Sequence, residues 1–522
     1  MRYPNQILRV SWLVVLLCPL VAEGGSFSLN EQSVSGLGTA YAGGAAQAGD
    51  ASTLYFNPAG IVLLDQGELQ LGAQLIIPRA TFSNQDSRYV LPGTPFDGLP
   101  LTGGNGGDAS GPHVIPNFYL TQPVFRNTRY GDLSVGLGVS VPFGLETDHE
   151  PGWVGRYQAL RTKLTTFDIQ PTVAYRFLDR ISLGAGLDIQ RASARLTQSI
   201  DFGLAAQPLL GAFYAGLPAA LAAQNVPPPL IGPTIAATQQ AYANAGFLPG
   251  GRDGVAEVTG DDWSLGFTLG ALLEYRKGGD DSFFQEGRFG VSYRSGIDHT
   301  LTGRGEFRGV PLITAPGAPV QFPVPGALQG VFFNQNASAQ LDLPDILHFS
   351  IYQRFAHQFG LMGDIAWTHW SRLQTVPIVF ENPGTPANVL DINYDDALRY
   401  SIGLEWYATQ RLAWRIGFAY DETPIQGPVF RTPRIPDNNR YFLSTGFKWS
   451  VTHCMDIDLA YAHLFVAQPN VDLLLGAQGH LLRGNYDASV AIVSASTTLR
   501  WGGARAPPPG PGKGCSGLRE GA

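Results

Sequence analysis

Alternation dominates the chain. Leu412, Trp414, Ile416, Phe418 and Tyr420 are bulky and apolar, while Ala413, Arg415, Gly417 and Ala419 between them are small or charged. Leu398, Tyr400, Ile402, Leu404 and Trp406 stand in the same way against Arg399, Ser401, Gly403 and Glu405. Met455, Ile457, Leu459, Tyr461 and Phe465 stand against Asp456, Asp458, Ala460 and Ala462. A period of two puts each set on its own face of an extended strand. A soluble sandwich also alternates, but three features favour a barrel in a membrane. The segments are long, often 11 to 18 residues, where soluble strands average about 5–6. Aromatic residues gather near segment ends, as at Trp406, Tyr407, Trp449 and Trp501, which suits a girdle at the membrane interface. The second face is polar and glycine-rich rather than a packed core.

The pattern predicts 14 strands, near residues 68–80, 111–123, 131–145, 160–177, 181–199, 262–276, 286–303, 338–355, 358–373, 393–407, 411–421, 438–450, 453–467 and 486–501. The links divide by parity. Those after even strands are short, as at Leu178-Asp179-Arg180, and those after odd strands are long, the longest running from Ile200 to Asp261. Short turns belong to the periplasmic side and long loops to the outside. An even, closed set of strands also removes the open edge that a spanning sheet cannot tolerate. The expected fold is therefore an all-β membrane protein, a 14-stranded antiparallel transmembrane β-barrel over residues 68–501. Residues 25–67, rich in Gly, Ala and Ser, precede the first strand and are expected to fold back into the lumen as an N-terminal hatch, or plug.

Composition sharpens this picture. Of 522 residues, 15% are charged and 64 are glycine; hydrophobic content is 44%, yet mean hydropathy is zero. Apolar residues are thus interleaved rather than massed, and no apolar run of the ~18 residues that a spanning helix needs is expected after the N-terminus. Arg2 and Arg9 precede the apolar run Val10–Ala22, with small residues at Ala22 and Gly24, so residues 1–24 read as a secretory signal peptide. Leu17 before Cys18 argues against lipidation. After cleavage only Cys454 and Cys515 remain, too few for a disulfide framework. Residues 502–522, with Pro507-Pro508-Pro509, read as a disordered tail. A net charge of −8 argues against nucleic acid as a partner, which wants a basic face. Nine histidines without clustered ligands give no metal site, and no cofactor is expected.

Catalysis is not expected either. A barrel hydrolase needs nucleophile, base and orienting acid within reach, but His369 and Asp364 fall on opposite strand faces, His149 and Asp148 lie in a loop, and no serine-centred motif accompanies them. A general porin is the other competing class, against which the plug and the apolar loops count. The Ile200–Asp261 loop carries Phe213, Tyr214 and Leu217, and the loop Val310–Phe333 carries Phe332 and Phe333. Apolar groups on a loop facing water read either as a capture surface for hydrophobic ligands or as the packing of a self-contained cap. Arg399, Arg415 and Arg440 share lumen parity; they are candidates to meet a ligand carboxylate or to pair with lumen acids such as Glu405 and Asp421.

The hatch carries Phe27-Ser28-Leu29-Asn30-Glu31, Ser35-Gly36-Leu37-Gly38, Ala40-Tyr41 and Asn57-Pro58-Ala59; the barrel carries Leu343-Pro344-Asp345, Ala366-Trp367-Thr368-His369-Trp370-Ser371, Phe418-Ala419-Tyr420-Asp421-Glu422-Thr423-Pro424 and Arg434-Ile435-Pro436-Asp437-Asn438-Asn439-Arg440. In this order they resemble the long-chain fatty-acid outer-membrane transporter family (FadL type), which includes toluene and xylene transporters, over residues 24–501. The resemblance implies passage of small hydrophobic molecules across the outer membrane of a Gram-negative bacterium. With no recognisable energy-coupling feature, diffusion down a gradient is the simpler expectation, and a plugged transporter with an internal binding site needs only a monomer. The expected surroundings are outer-membrane lipid and lipopolysaccharide, with the barrel assembly machinery for insertion. The resemblance implies that Phe27 and Leu29 line a ligand pocket. It also implies that Asn57-Pro58-Ala59, by itself a turn ending the hatch, takes part in gating, and that a lateral gap opens at a kink in strand 3, where Pro142 and Gly144 disturb the ladder. Fatty-acid members of that family carry basic residues near the end of strand 5 and before strand 10. Gln198 and Leu390 stand there in this chain, so the resemblance leaves an uncharged ligand such as an aromatic hydrocarbon or alkane open.

Overall fold

The computed structural model describes residues 26–128, 131–177, 179–277, 282–475 and 478–502. The expected signal peptide lies outside the described residues, as does the expected tail beyond Gly502.

Fourteen antiparallel strands close into one barrel. They are β1 (Gly67–Asn84), β2 (His113–Thr128), β3 (Gly131–Ser140, resuming at Gly144–Asp148), β4 (Arg161–Phe177), β5 (Ile181–Asp201) and β6 (Asp253–Lys277). β7 (Phe284–Arg294, then Ile297–Arg308), β8 (Gln335–Leu343, then Ile346–Phe355), β9 (Phe359–Thr368, then Thr375–Phe380) and β10 (Asn388–Asp391, then Ala397–Trp406) each run in two segments. β11 (Leu412–Asp421), β12 (Arg440–Thr452), β13 (Met455–Val466, then Asn470–Leu475) and β14 (His480–Trp501) complete the wall. β14 pairs along its length with β1, from Gly67↔Trp501 to Asn84↔Gly484, so no free edge remains at the closure.

The alternation becomes the two faces of this wall. Trp414 and Ile416 of β11 are 54% and 53% exposed, whereas Arg415 and Ala419 are 4% and 0% exposed. The bulky set faces lipid and the small or charged set faces the lumen. Trp406 and Trp449 stay on the outer face at strand ends. Tyr407 departs from the expected girdle: its hydroxyl donates to Glu405 Oε2 at 2.7 Å, inside the mouth.

The strands reach further outward than periodicity indicated. β6 begins at Asp253 rather than near residue 262, and β14 at His480 rather than near 486. Above the membrane both faces of these hairpins meet protein or water, so the two-period signal fades while the ladder continues, from Asp201↔Asp253 to Ser193↔Asp261. The long link expected after strand 13 is likewise taken up by pairing of Asn470–Leu475 with His480–Asn485.

The hatch fills the lumen. It folds as α1 (Val34–Leu37), α2 (Thr53–Phe56) and a 3-10 helix (Pro58–Leu63). Leu37, Leu54 and Ile61 are fully buried against inward-facing groups of β1, β2 and β14 such as Ile76, Tyr119 and Ile492. Inward glycines let it lie against the strands. A Cβ on Gly184 would strike the backbone of Ala59, one on Gly290 the Ala45 carbonyl, and one on Gly417 the backbone at Thr39 and Ala40. The small residues of the alternating pattern are therefore the seat of the hatch.

Outside, the β5–β6 connection contains α3 (Phe202–Ala205), α4 (Gln207–Ala223) and α5 (Pro228–Asn244). Residues Phe202–Ala223 form a 22-residue helical stretch of mean hydropathy 1.3, which corrects the expectation that no stretch after the N-terminus is long and apolar enough to cross. It joins two strands on the same side and packs into the loop cap, so it is not a span here. Cys454, at the β12–β13 turn, is disulfide-bonded.

Candidate functional site

The chain's first described residues meet the barrel at an interruption in β3. Between Ser140 and Gly144 the strand leaves the wall. Pro142 has no N–H to give the ladder, and its carbonyl accepts from Leu29 N at 2.8 Å; Gly144 N donates to the Phe27 carbonyl at 2.9 Å. Ser28 and Phe143 form an isolated antiparallel bridge. Gln32 stitches the same turn, donating to the Val141 carbonyl at 2.6 Å while its Oε1 accepts from Val141 N at 3.2 Å. The β2–β3 ladder stops at Phe118↔Val139, whereas the β1–β2 ladder continues to Ile76↔His113. Residues 113–117 therefore have a hydrogen-bonded neighbour on the β1 side only, and the wall is interrupted there. Both ring nitrogens of His113 are buried and without a hydrogen-bond partner.

Above this interruption lies a partly open cavity, with about 800 Å³ of empty space that includes open solvent. Leu164 of β4, Leu196 of β5, Leu301 of β7, Leu341 of β8, Ile378 of β9 and Leu390 of β10 supply its walls, and Phe27 closes it from the hatch side. Phe27 packs edge-on against Trp370, centroids 4.7 Å apart, and against Phe143 at 6.1 Å. Ser26, next to it, donates from its backbone to Asp437 Oδ2 at 3.0 Å and from its hydroxyl to Tyr394 at 2.8 Å. The hatch terminus is thus held by β3 on one side and the β11–β12 loop on the other.

Of the residues singled out from sequence, Phe27 reaches this cavity. Leu29 is buried in the hatch core instead. Asn57 is no closing turn: its Oδ1 accepts from Ala59 N at 3.0 Å and caps the 3-10 helix that begins at Pro58. Its amide donates to the carbonyls of Ala45 and Ala271, at 2.7 and 3.1 Å, tying hatch to β6. Pro142 lies in the β3 interruption and Gly144 resumes the strand. Phe213 and Tyr214 pack with Tyr242 and Phe322 in the loop cap, Leu217 is buried there, and Phe332 sits edge-on to Phe202 and Phe307. Phe333 is 42% exposed.

The three lumen arginines lie outside the cavity walls. Arg415 is held by Glu405 at 2.8 Å and Asp458 at 2.5 Å, and Arg440 by Asp437 at 3.4 Å and Asp421 at 3.6 Å. Arg399 donates to the Ala40 carbonyl at 2.7 Å and lies over the rings of Tyr41 and Phe442. Arg399 thus ties hatch to barrel, whereas Arg415 and Arg440 pair with acids of nearby strands and of the β11–β12 loop. Sequence reasoning did not single out Leu164, Leu301 and Leu341, which carry only a strand signal, and it quoted Arg434 within a family motif without giving it a place in the site; the β11–β12 loop brings it to the cavity. Gln198 and Leu390, marked by the resemblance, do meet there: Leu390 lines the wall, and Gln198 Oε1 accepts from Arg434 at 2.8 Å.

A profile of the family described as outer membrane protein transport protein (OMPP1/FadL/TodX) matches residues 15–501. The chain belongs to this family. This outer membrane protein transport family therefore supplies the setting for the cavity: a transport protein in the outer membrane of Gram-negative bacteria. A putative outer membrane protein of Neisseria meningitidis is 29% identical over 450 residues, covering 85% of this chain and 86% of its own. A long-chain fatty acid transport protein of Escherichia coli is 26% identical over 454 residues, covering 87% and 89%. Two solved structures share the fold. A Pseudomonas aeruginosa FadL homologue matches with a TM-score of 0.71 at 23% identity, over 91% of this chain and 99% of its own. The Pseudomonas putida toluene transporter TodX matches at 0.57 and 15% identity, over 92% and 100%.

Proposed function

We propose that this protein admits long-chain fatty acids or related lipophilic molecules by diffusion. They would leave lipopolysaccharide at the outer loops, rest in the apolar cavity closed by Phe27, and pass sideways at the β3 interruption into the outer membrane. The observation that carries this reading is the cavity. Its walls come from eight strands, β3 to β10, and are almost wholly apolar, and its floor is a hatch residue. Water in such a space is a poor competitor for an aliphatic chain, whose burial contributes about 0.8 kcal/mol per methylene. A water-filled pore offers a lipophile no such gain. A monomer suffices, because cavity and exit belong to one barrel; insertion would fall to the barrel assembly machinery. No chemistry on the ligand is proposed.

A second reading, an aromatic hydrocarbon as cargo, is favoured by Gln198 and Leu390, uncharged where the fatty-acid members are basic. Titration of the purified protein with oleate and with toluene separates the two. We expect binding to be lost in Phe27→Glu, which puts a carboxylate on the cavity floor. Toluene bound without oleate would favour the hydrocarbon. If the wild type bound neither, the transport reading would fail and porin-like conductance would be the next measurement.

A further inference from the structure

Several buried cations of the described residues come with carboxylates. Arg294 lies 3.0 Å from Asp168 and 3.1 Å from Asp188; Arg415 has Glu405 and Asp458; Arg156 has Asp253 at 2.7 Å. The other basic residue of the cavity wall, Lys163, lies 3.0 Å from Glu146, which also holds Arg161 at 2.6 Å. Such pairing, or a set of backbone carbonyls in its place, is expected because an unpaired buried charge is costly.

Three buried arginines have no acidic ion-pair partner among the described residues: Arg399 and Arg431 give their N–H groups to backbone carbonyls, at Ala40 and at Asp437 and Asn470, whereas Arg434 finds no such carbonyl. It is 3% exposed, and among the described residues no carboxylate lies within ion-pair distance of it. Its Nη1 donates to Thr162 Oγ1 at 3.0 Å and its Nη2 to Gln198 Oε1 at 2.8 Å, both neutral acceptors. Its Nε is buried without a partner. A guanidinium has five N–H donors, so donors remain for a further acceptor. The side chain stands in the wall of the apolar cavity, beside Ile435 and opposite Leu164 and Leu390.

We propose that Arg434 is the head-group anchor of this cavity and selects an aliphatic carboxylate as ligand, its hydrocarbon tail lying along the apolar walls. This assignment rests on the reading of the cavity as the transport site. The chemistry matches at both ends. One buried positive charge with unused donors calls for one anion. A carboxylate presents two oxygens to the guanidinium fork, while the leucines and isoleucines accept an alkyl chain. Burial lowers the guanidinium pKa to about 10, which leaves it cationic at neutral pH. The anchor comes from the β11–β12 loop rather than from β5 or the entry to β10. Gln198 is then not a lost anchor but the neutral residue that orients a relocated one.

The test compares oleate with oleyl alcohol at pH 8, two ligands with one tail and different heads. It uses the purified full-length wild type, Arg434→Gln and Arg434→Lys. A charged hydrogen bond contributes about 1.5–3 kcal/mol, so the wild type should favour oleate by about 10–100-fold in Kd. Arg434→Gln should bring the two ligands to within about twofold by weakening oleate alone. Arg434→Lys, which keeps the charge but not the fork, should restore part of the preference and serves if the glutamine variant does not fold. Retention of the oleate preference in Arg434→Gln, or its absence from the wild type while both ligands bind, overturns the anchor and leaves the transport site standing. Binding of neither ligand by the wild type overturns both.

Discussion

At the scale of single residues, a lumen arginine shows how charge is used to join hatch and barrel. Arg294 of β7 sits between Asp168 of β4 and Asp188 of β5, and its guanidinium lies over the ring of Tyr55 in the hatch at 4.4 Å. Replacing it with methionine would leave two carboxylates facing each other in a buried site. We expect Arg294→Met to cost about 3–5 kcal/mol, read as a lowered urea midpoint of the purified barrel in detergent. An unchanged midpoint would mean that the two acids share a proton or water and that the arginine is dispensable. Arg434 belongs to a different class, since its removal strands no carboxylate. Its loss should leave stability nearly unchanged and show in ligand preference instead. Composition cannot separate these classes. Arg415 and Arg434 are alike as letters, and only the acids that the fold brings to one of them make it structural.

At the scale of elements, the strands and the hatch were designed around one another's surfaces. Alternation gave away the strands because lipid on one side and protein on the other impose a local period of two. The glycines within that pattern carried a second message. At Gly184 an added Cβ would meet the backbone of Pro58 and Ala59, whereas at Gly363 the nearest atom, of Ile351, is 3.4 Å away. Gly184→Val should therefore displace the 3-10 helix, destabilise the protein by about 1–3 kcal/mol and raise single-channel conductance in planar bilayers. Gly363→Ala should do neither. Equal behaviour of the two variants would mean that the hatch does not rest on the wall where it is seen. The interruption of β3 was legible at Pro142, because a residue without an N–H cannot serve the ladder. What replaces the ladder was not legible: the partner of Pro142 is Leu29, more than a hundred positions away in the chain. The helices of the outer cap also escaped a reading tuned to strands, since Phe202–Ala223 is apolar on all sides and shows no period of two.

At the scale of the whole molecule, the barrel is closed, and the proposed transport requires the segment Phe27–Leu29 to move. Phe27 to Leu29 pair with the inward turn of β3 and close the cavity in the same act. Any ligand that moves from the cavity to the interruption between β2 and β3 must displace this contact. Cysteines at Ser28 and Phe143, bridged residues of an antiparallel pair, are close enough to oxidise. With Ser28→Cys and Phe143→Cys combined, uptake of radiolabelled oleate by cells should stop under oxidation and recover with dithiothreitol, relative to Phe143→Cys alone. Uptake at full rate with the bridge formed would show that the hatch terminus stays in place during transport.

Sequence by itself determined the architecture. Fourteen strands, their inward and outward faces, the sidedness of their links and the segment left for the lumen all follow from a local periodicity and from loop lengths, which need no knowledge of what packs against what. The residues that make the site specific were decided only in three dimensions. Thr162 and Gln198 meet Arg434 across sequence separations of 272 and 236 residues. Whether an arginine is paired, whether Phe27 faces a cavity while Leu29 faces a core, and whether an apolar loop packs on itself all depend on such long-range meetings. A one-dimensional pattern records the faces of a strand but not what stands across the lumen from them.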